Sequence, residues 1–234
     1  MIDLFCGTKS VSRVFKERGW DTLTLDIDPK CGADITADIL ALRREQLPPA
    51  QDVRFVWASP PCVQYSIART TAKTPRNFPE ADRIVAKAFE IVERWYPEVS
   101  YALENPWTGY LKTRPVVAGK HYDRVSYCMY SDPKGDCPLW QKHTAIWNNL
   151  VWWTPMAPCS TDNRCVHYRD GKHPTHAKRW AKLAKGNEPQ MQGYSLDQLH
   201  GIPPALIHEI AEAAEEQDSP GLRTPQSATH DSDA

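Results

Sequence analysis

Hydrophobic positions in the first hundred residues fall into short continuous runs separated by stretches with helical spacing. Ile2 to Phe5 is apolar enough for a buried strand, and Ser10 to Arg18 sets Val11, Val14 and Phe15 on one helical face. Thr22 to Ile27 and Arg54 to Ala58 read as two further strands, the first of them closed by Asp26-Ile27-Asp28-Pro29. Glu80 to Trp95 carries Ile84, Val85, Ala88, Ile91, Val92 and Trp95 on one side of an amphipathic helix, and Val99 to Leu103 is the strand that follows. Strands spaced by helices call for βαβ units, a parallel sheet and an α/β fold class, with ligands at the carboxyl ends of the strands.

The pattern changes after Gly109. Up to Leu150 it is strand-like and irregular, with Tyr122 to Tyr130 and Ala145 to Val151 as the best strand candidates. From Val151 to Tyr194 no period survives, and the richness in Trp, Cys, His, Lys and Pro predicts a small irregular lobe. Pro203-Pro204 then opens a helix over Ala205 to Glu215, with proline in its first turn. The expected organisation is a main domain over 1–147, the lobe over 148–200, a helix at 201–216 returning to the main domain, and a disordered tail over 217–234.

Composition narrows the function classes. A chain of 234 residues, 41% hydrophobic and 24% charged, buries a real core. It has no export signal at Met1-Ile2-Asp3-Leu4-Phe5 and no run of transmembrane length, so a cytoplasmic setting without membrane association is expected. Seven cysteines, an odd number, then suggest catalysis, metal binding or burial rather than a disulfide framework. The net charge of −1 hides an uneven distribution: Arg164, Arg169, Lys172, Lys178, Arg179, Lys182 and Lys185 form a stripe suited to a phosphate backbone, or a solvated helix face.

Two prolines end the third strand run and present one thiol, in Ser59-Pro60-Pro61-Cys62. Proline fixes φ and removes N–H donors, so the chain must leave the sheet there and hold Cys62 in a rigid loop, as a mounted nucleophile or as a small buried hydrophobe. Glu104-Asn105-Pro106 ends the next strand, so Glu104 should share a pocket with Cys62, a carboxylic acid facing a thiol. At the other side, Asp3-Leu4-Phe5-Cys6-Gly7-Thr8 makes a glycine turn into a helix N-terminus, suited to the polar tail of a cofactor. Asp26 closes the next strand where ribose hydroxyls are commonly bound, and Ala37-Asp38-Ile39 offers an acceptor for an adenine amino group.

Taken together, these motifs resemble, in order and rough spacing, the DNA cytosine-5 methyltransferase family, and within it a small phage-like member. The resemblance covers residues 1 to 108 and continues in Gln141-Lys142-His143-Thr144-Ala145, similar to the family's Gln-x-Arg-x-Arg strand, and in Gly201-Ile202-Pro203-Pro204. It implies a Rossmann-like S-adenosylmethionine-dependent sheet with a small target-recognition lobe. It further implies that Cys62 adds to C6 of a flipped-out cytosine while Glu104 serves N3, so that C5 accepts the methyl group. Phe5, Gly7, Thr8, Asp26, Ile27, Asp38, Ile39 and Pro60 are the residues it assigns to the cofactor. Gln64, Ser66, Arg69, Lys73, Arg76, Asn105, Pro106, Gln141, Lys142 and His143 are those it assigns to the base and to double-stranded DNA, bound by a monomer.

The chain departs from the family pattern in places that matter. Lys9 and Ser10 stand where a second glycine is expected, and His143 and Ala145 replace the two arginines that help hold the base. Lys142, His143 or a residue from elsewhere must take their part. The family's N-terminal helix is missing, which leaves the helix after Pro204 to complete the cofactor pocket. The short lobe predicts a recognition site of two to four base pairs. Cys159 and Cys165 with His167, His173 or His176, and Cys128 or Cys137, are candidate ligands for a structural Zn²⁺, or are reduced thiols and surface histidines. Two rival readings stay open on sequence: a DNA-binding module without turnover, and the same chemistry on RNA or a free pyrimidine nucleotide.

Overall fold

The computed structural model describes residues 1–131, 141–168, 173 and 201–218. Five strands, β1 (Ile2–Leu4), β2 (Leu23–Asp26), β3 (Ile35–Thr36), β4 (Phe55–Ala58) and β5 (Ser100–Pro106), run parallel. β7 (His143–Asn148) is antiparallel both to β5 and to β6 (Tyr122–Ser126). The sheet order β3-β2-β1-β4-β5-β7-β6 bears out the expected α/β, Rossmann-like class. Strand order reverses at β1, which leaves a crevice beyond the carboxyl ends of β1 and β4.

Helices cover both faces. On one, α1 (Ser10–Glu17) buries Val11, Val14 and Phe15 against Leu206, Ile207 and Ile210 of α3 (Pro204–Gln217). Arg18 and Trp20 fix this pairing at one acid, Arg18 Nη2 reaching Glu215 Oε2 at 2.7 Å and Trp20 Nε1 donating to Glu215 Oε1 at 2.9 Å. On the other face, α2 (Phe78–Glu90) sets Val85, Ala88 and Phe89 into a core with Leu4, Val56 and Leu103.

Several boundaries move for local reasons. α2 starts two residues before the expected Glu80, because Asn77 Oδ1 accepts the Glu80 N–H at 3.2 Å and Pro79 sits in the first turn. It then widens into a π-helical turn over Ile91–Trp95, which apolar periodicity does not foretell. β6 ends at Ser126, and Tyr127–Tyr130 forms a 3₁₀ turn instead of continuing the strand. β3, only two residues long, carries no periodic signal.

The tail prediction is corrected at its start. Gln217 belongs to α3, where its Oε1 accepts the Val151 N–H at 2.9 Å, and Asp218 pairs with Arg54 at 2.6 Å. Positions 219–234, most of the expected lobe, and the basic stripe apart from Arg164 lie outside the described residues. Among the described residues no helix is long and apolar enough to cross a membrane.

Candidate active site

At the end of β1 the backbone turns sharply enough that two side-chain-bearing residues take the left-handed conformation, Phe5 at φ 63° and Lys9 at φ 59°. Lys9 thus reproduces the backbone a glycine would adopt freely, at a cost of roughly 1–2 kcal/mol. Its ammonium donates to the Gly32 carbonyl, joining this turn to the loop after β2. Asp26 makes a parallel link: its carboxylate accepts the Gly7 N–H at 2.9 Å and the Asp28 N–H at 2.9 Å.

Between these loops and the β4 and β5 ends lies a cleft of about 940 Å³. Phe5, Gly7, Thr8 and Pro60 line it as expected from sequence, and Cys62 and Glu104 line it too. Asp26 stands behind Gly7 rather than in the wall. Ile27 is 65% exposed, an apolar surface left open beside Asp26. Asp38 caps the turn Ile39–Ala41 by accepting the Leu40 N–H at 2.9 Å, while the Ile39 side chain is buried in the core.

Sequence reasoning missed Asp28, Lys30 and Cys31, which enter the cleft because Asp28 Oδ1 caps a 3₁₀ turn at the Lys30 N–H, 2.9 Å away. Asp-Pro after a strand is the signal that could have found them. Ile202, just ahead of α3, closes the same cleft. The buried Asp3 carboxyl at its base accepts the Ser12 N–H at 3.2 Å, and burial pushes it up to about 7.

Cys62 is half-buried, and its carbonyl accepts the N–H groups of Tyr65 and Ser66 at 3.0 and 2.8 Å, so the loop turns immediately after the thiol. Asn105 Nδ2 donates to the Pro60 carbonyl at 2.9 Å, tying the Cys62 loop to the end of β5. Glu104 is 7% exposed, accepts the Tyr127 hydroxyl at 3.2 Å, and has the Lys142 ammonium 3.5 Å from its Oε1. Lys142 also lies over the Tyr127 ring, 4.6 Å from its centroid. Burial pushes the Cys62 thiol up and Glu104 adds to this, whereas Lys142 pulls it down. Burial, reinforced by Glu104, holds the Tyr127 hydroxyl well above its ordinary value, so it stays a proton donor.

The strand of missing arginines has a different solution from the family pattern. Lys142 brings a cation to Glu104, whereas His143 Nδ1 contacts Ser126 Oγ at 2.7 Å and Ala145 is fully buried. Arg124 of β6 stands opposite Ala145 in the ladder and stacks on Trp107, its Cζ 3.9 Å from the ring centroid. Gln141 points away from the cleft and donates to the Cys159 carbonyl at 3.1 Å.

The loop after Cys62 is braced from within. Arg76 donates to the carbonyls of Gln64 at 2.6 Å and Ser66 at 2.9 Å, Gln64 Oε1 accepts the Asn77 N–H at 3.0 Å, and Ser66 Oγ accepts the Ala68 N–H at 3.1 Å. Arg69 bonds Thr74 Oγ1 at 2.7 Å, and Lys73 is exposed. Pro106 lines the cleft next to Glu104.

No family model matches the chain. A probable DNA (cytosine-5)-methyltransferase of Frog virus 3 (isolate Goorha) is 27% identical over 225 residues, spanning 90% of this chain and 97% of the viral protein. Among solved structures, Entamoeba histolytica methyltransferase EhMeth matches with a TM-score of 0.44 and 9% identity, over 92% of this chain and 97% of its own. The fold class rests on the strand order itself. The chain is thus similar, over nine tenths of its residues, to a viral protein of nearly equal length, and that likeness points to the same DNA (cytosine-5)-methyltransferase family that its motifs resemble.

Proposed function

We propose that this enzyme methylates C5 of cytosine in double-stranded DNA, through a transient bond between Cys62 and C6 of a base turned out of the helix. The observation that carries the reading is the convergence of Cys62, Glu104 and Lys142 on one cleft that the β1 and β2 loops also line. A target base inside a stacked duplex cannot reach a half-buried thiol in the wall of such a cleft, so it must be extruded.

S-adenosylmethionine, the donor that methyltransferase relatives imply, supplies an electrophilic methyl group on a sulfonium centre. The cleft fits it: Asp28 offers a carboxylate for hydroxyl or ammonium groups, Lys9 and Arg13 offer cations for a carboxylate, and Phe5 offers apolar surface for a purine. Asp26 holds the Gly7 and Asp28 turns that border this half of the cleft, and Asp38 caps the turn at Leu40.

In the proposed chemistry the Cys62 proton leaves to solvent water as sulfur attacks, because burial and Glu104 disfavour a standing thiolate. Glu104 enters as the carboxylic acid and gives its proton to N3, neutralising the negative charge that C6 addition pushes into the ring. Lys142 steadies the sulfur as it gives up its proton and the Glu104 carboxylate that remains once N3 is protonated. Addition makes C5 electron-rich and ready for the methyl group. Transfer of the C5 proton to a water molecule and return of the N3 proton to Glu104 then restore the double bond and expel the Cys62 sulfur. Asn105 keeps the two reacting loops in register, while Lys73 and Arg69 supply charge towards phosphates.

Methyl transfer from labelled S-adenosylmethionine to duplex DNA tests the proposal, with bisulfite sequencing of DNA from expressing cells to locate the product. Activity that Cys62→Ala abolishes is the expected result. Transfer to RNA or dCMP but not to duplex DNA would replace the substrate, and no transfer to any of them would sink the assignment.

A further inference from the structure

Away from the cleft, three thiols and one imidazole from distant parts of the chain meet in a buried cluster. Cys128 comes from the 3₁₀ turn after β6, Cys159 and Cys165 from the loop after β7, and His173 from beyond it. All four side chains are buried, and their sulfur and nitrogen atoms lie within 4.8 Å of one another. Cys165 Sγ and His173 Nε2 are 3.2 Å apart. Around a tetrahedral Zn²⁺, with bonds of about 2.3 Å to sulfur and about 2.0 Å to nitrogen, neighbouring donor atoms stand roughly 3.5–3.8 Å apart. The cluster is therefore already close to the size that ion requires.

The surroundings give these residues little other reason to meet. Among the described residues, Met129 and Tyr168 are the partly buried apolar neighbours that pack against the three cysteines, a small apolar set beside four potential metal ligands. A disulfide would use two of the thiols and leave the third beside an imidazole, and none of the described cysteines is paired. His167, the other histidine nearby, contacts Ser131 Oγ at 2.6 Å instead of joining the cluster. Cys137 and His176 lie outside the described residues.

We propose that Cys128, Cys159, Cys165 and His173 bind one structural Zn²⁺. Three thiolates and an imidazole fill a tetrahedron, which leaves no position open for a reacting water, so the ion holds structure rather than performing chemistry. What it holds is specific. Cys159 N–H donates to Ser126 Oγ at 3.0 Å, the same hydroxyl that contacts His143, and the Cys159 carbonyl receives Gln141. The ion would thus fasten the loop after β7 to both residues flanking Lys142, setting the direction from which that lysine enters the cleft.

The test is metal content of the full-length chain, purified without chelators from zinc-supplemented cells. About one zinc per chain is expected, released by a thiol-modifying mercurial. Cys159→Ser and Cys165→Ser should each lower it severalfold, and Cys31→Ser, outside the cluster, should leave it unchanged. Because losing a ligand can also unfold this corner, His173→Cys supplies a gain-of-signature control. It should retain the ion, and after exchange to Co²⁺ its visible bands should shift from those of an S₃N to those of an S₄ site. A wild-type chain that is folded yet holds under a tenth of an equivalent of zinc, or that takes up Co²⁺ without tetrahedral thiolate bands, overturns the proposal. Neither result depends on methyl transfer, so this inference and the proposed activity fail separately.

Discussion

Lys142 Nζ stands 3.5 Å from Glu104 Oε1 and is the cation that draws the Cys62 thiol downward, so one side chain acts on both proposed catalytic groups. Its place on the first residue before β7 sets it across from the carboxyl end of β5, because the two strands run in opposite directions.

Replacing that ammonium should therefore change more than the rate. Lys142→Met removes the group that opposes burial and Glu104 at Cys62, so the thiol titrates still higher and the acidic limb of the kcat/KM profile moves to higher pH. A loss of about tenfold or more in kcat is expected at neutral pH, about 1.4 kcal/mol, with Lys142→Arg recovering most of it. A drop in rate with an unmoved pH profile would reduce Lys142 to a packing role.

Lys9 carries a backbone strain that a glycine would not, and a contact that a glycine could not make. For Lys9→Gly the two stability effects oppose each other, so thermal stability should change by less than about 1 kcal/mol. Affinity for S-adenosylmethionine, measured by calorimetry, should nonetheless fall severalfold as the cleft loses a cation. Unchanged affinity would remove Lys9 from the cofactor site.

Asp3 gives a pH dependence with a definite sign. Its folded value of about 7 lies above the unfolded carboxylate value of about 3.9, so the native state binds its proton more tightly than the unfolded chain does. The stabilisation is greatest below the unfolded value, declines as pH rises from about 4 to about 7, and is flat above. Asp3→Asn keeps an acceptor for the Ser12 N–H and removes the titration. The melting temperature of the variant relative to the natural chain should climb across that window; a constant difference would contradict the assignment.

α3 is required for the main domain. Ile210 is fully buried between α1 and the sheet, so Ile210→Ala should cost about 2–5 kcal/mol, read as a lower denaturant midpoint at an unchanged slope. A cost under about 1 kcal/mol would mean that the helix packs loosely.

The features legible in the sequence share one property: each is local. Pro60-Pro61 before Cys62, Glu104-Asn105 after a strand run and the Phe5 to Thr8 turn announce themselves within a few residues, and strand ends follow from apolar runs. The cation at Glu104 was named only as one candidate among several, because whether Lys142 or His143 faces the cleft depends on the register of β7 with β5 and β6. Arg124 was missed for the same reason, since its position opposite Ala145 exists only in the ladder. The cluster of Cys128, Cys159, Cys165 and His173 was half-read: the residue types were visible, but which histidine joins them is a matter of three-dimensional placement.

The bond from Asn105 to the Pro60 carbonyl has a kinetic corollary. It ties the loop that carries Cys62 to the strand end that carries Glu104, so on the proposed reading thiol and acid are brought together by folding and not by substrate. The slow variable is then on the nucleic acid's side, in the work of unpairing and unstacking one nucleotide. In a chain organised this way, a cytosine facing a mismatch should outcompete the same cytosine in a perfect duplex.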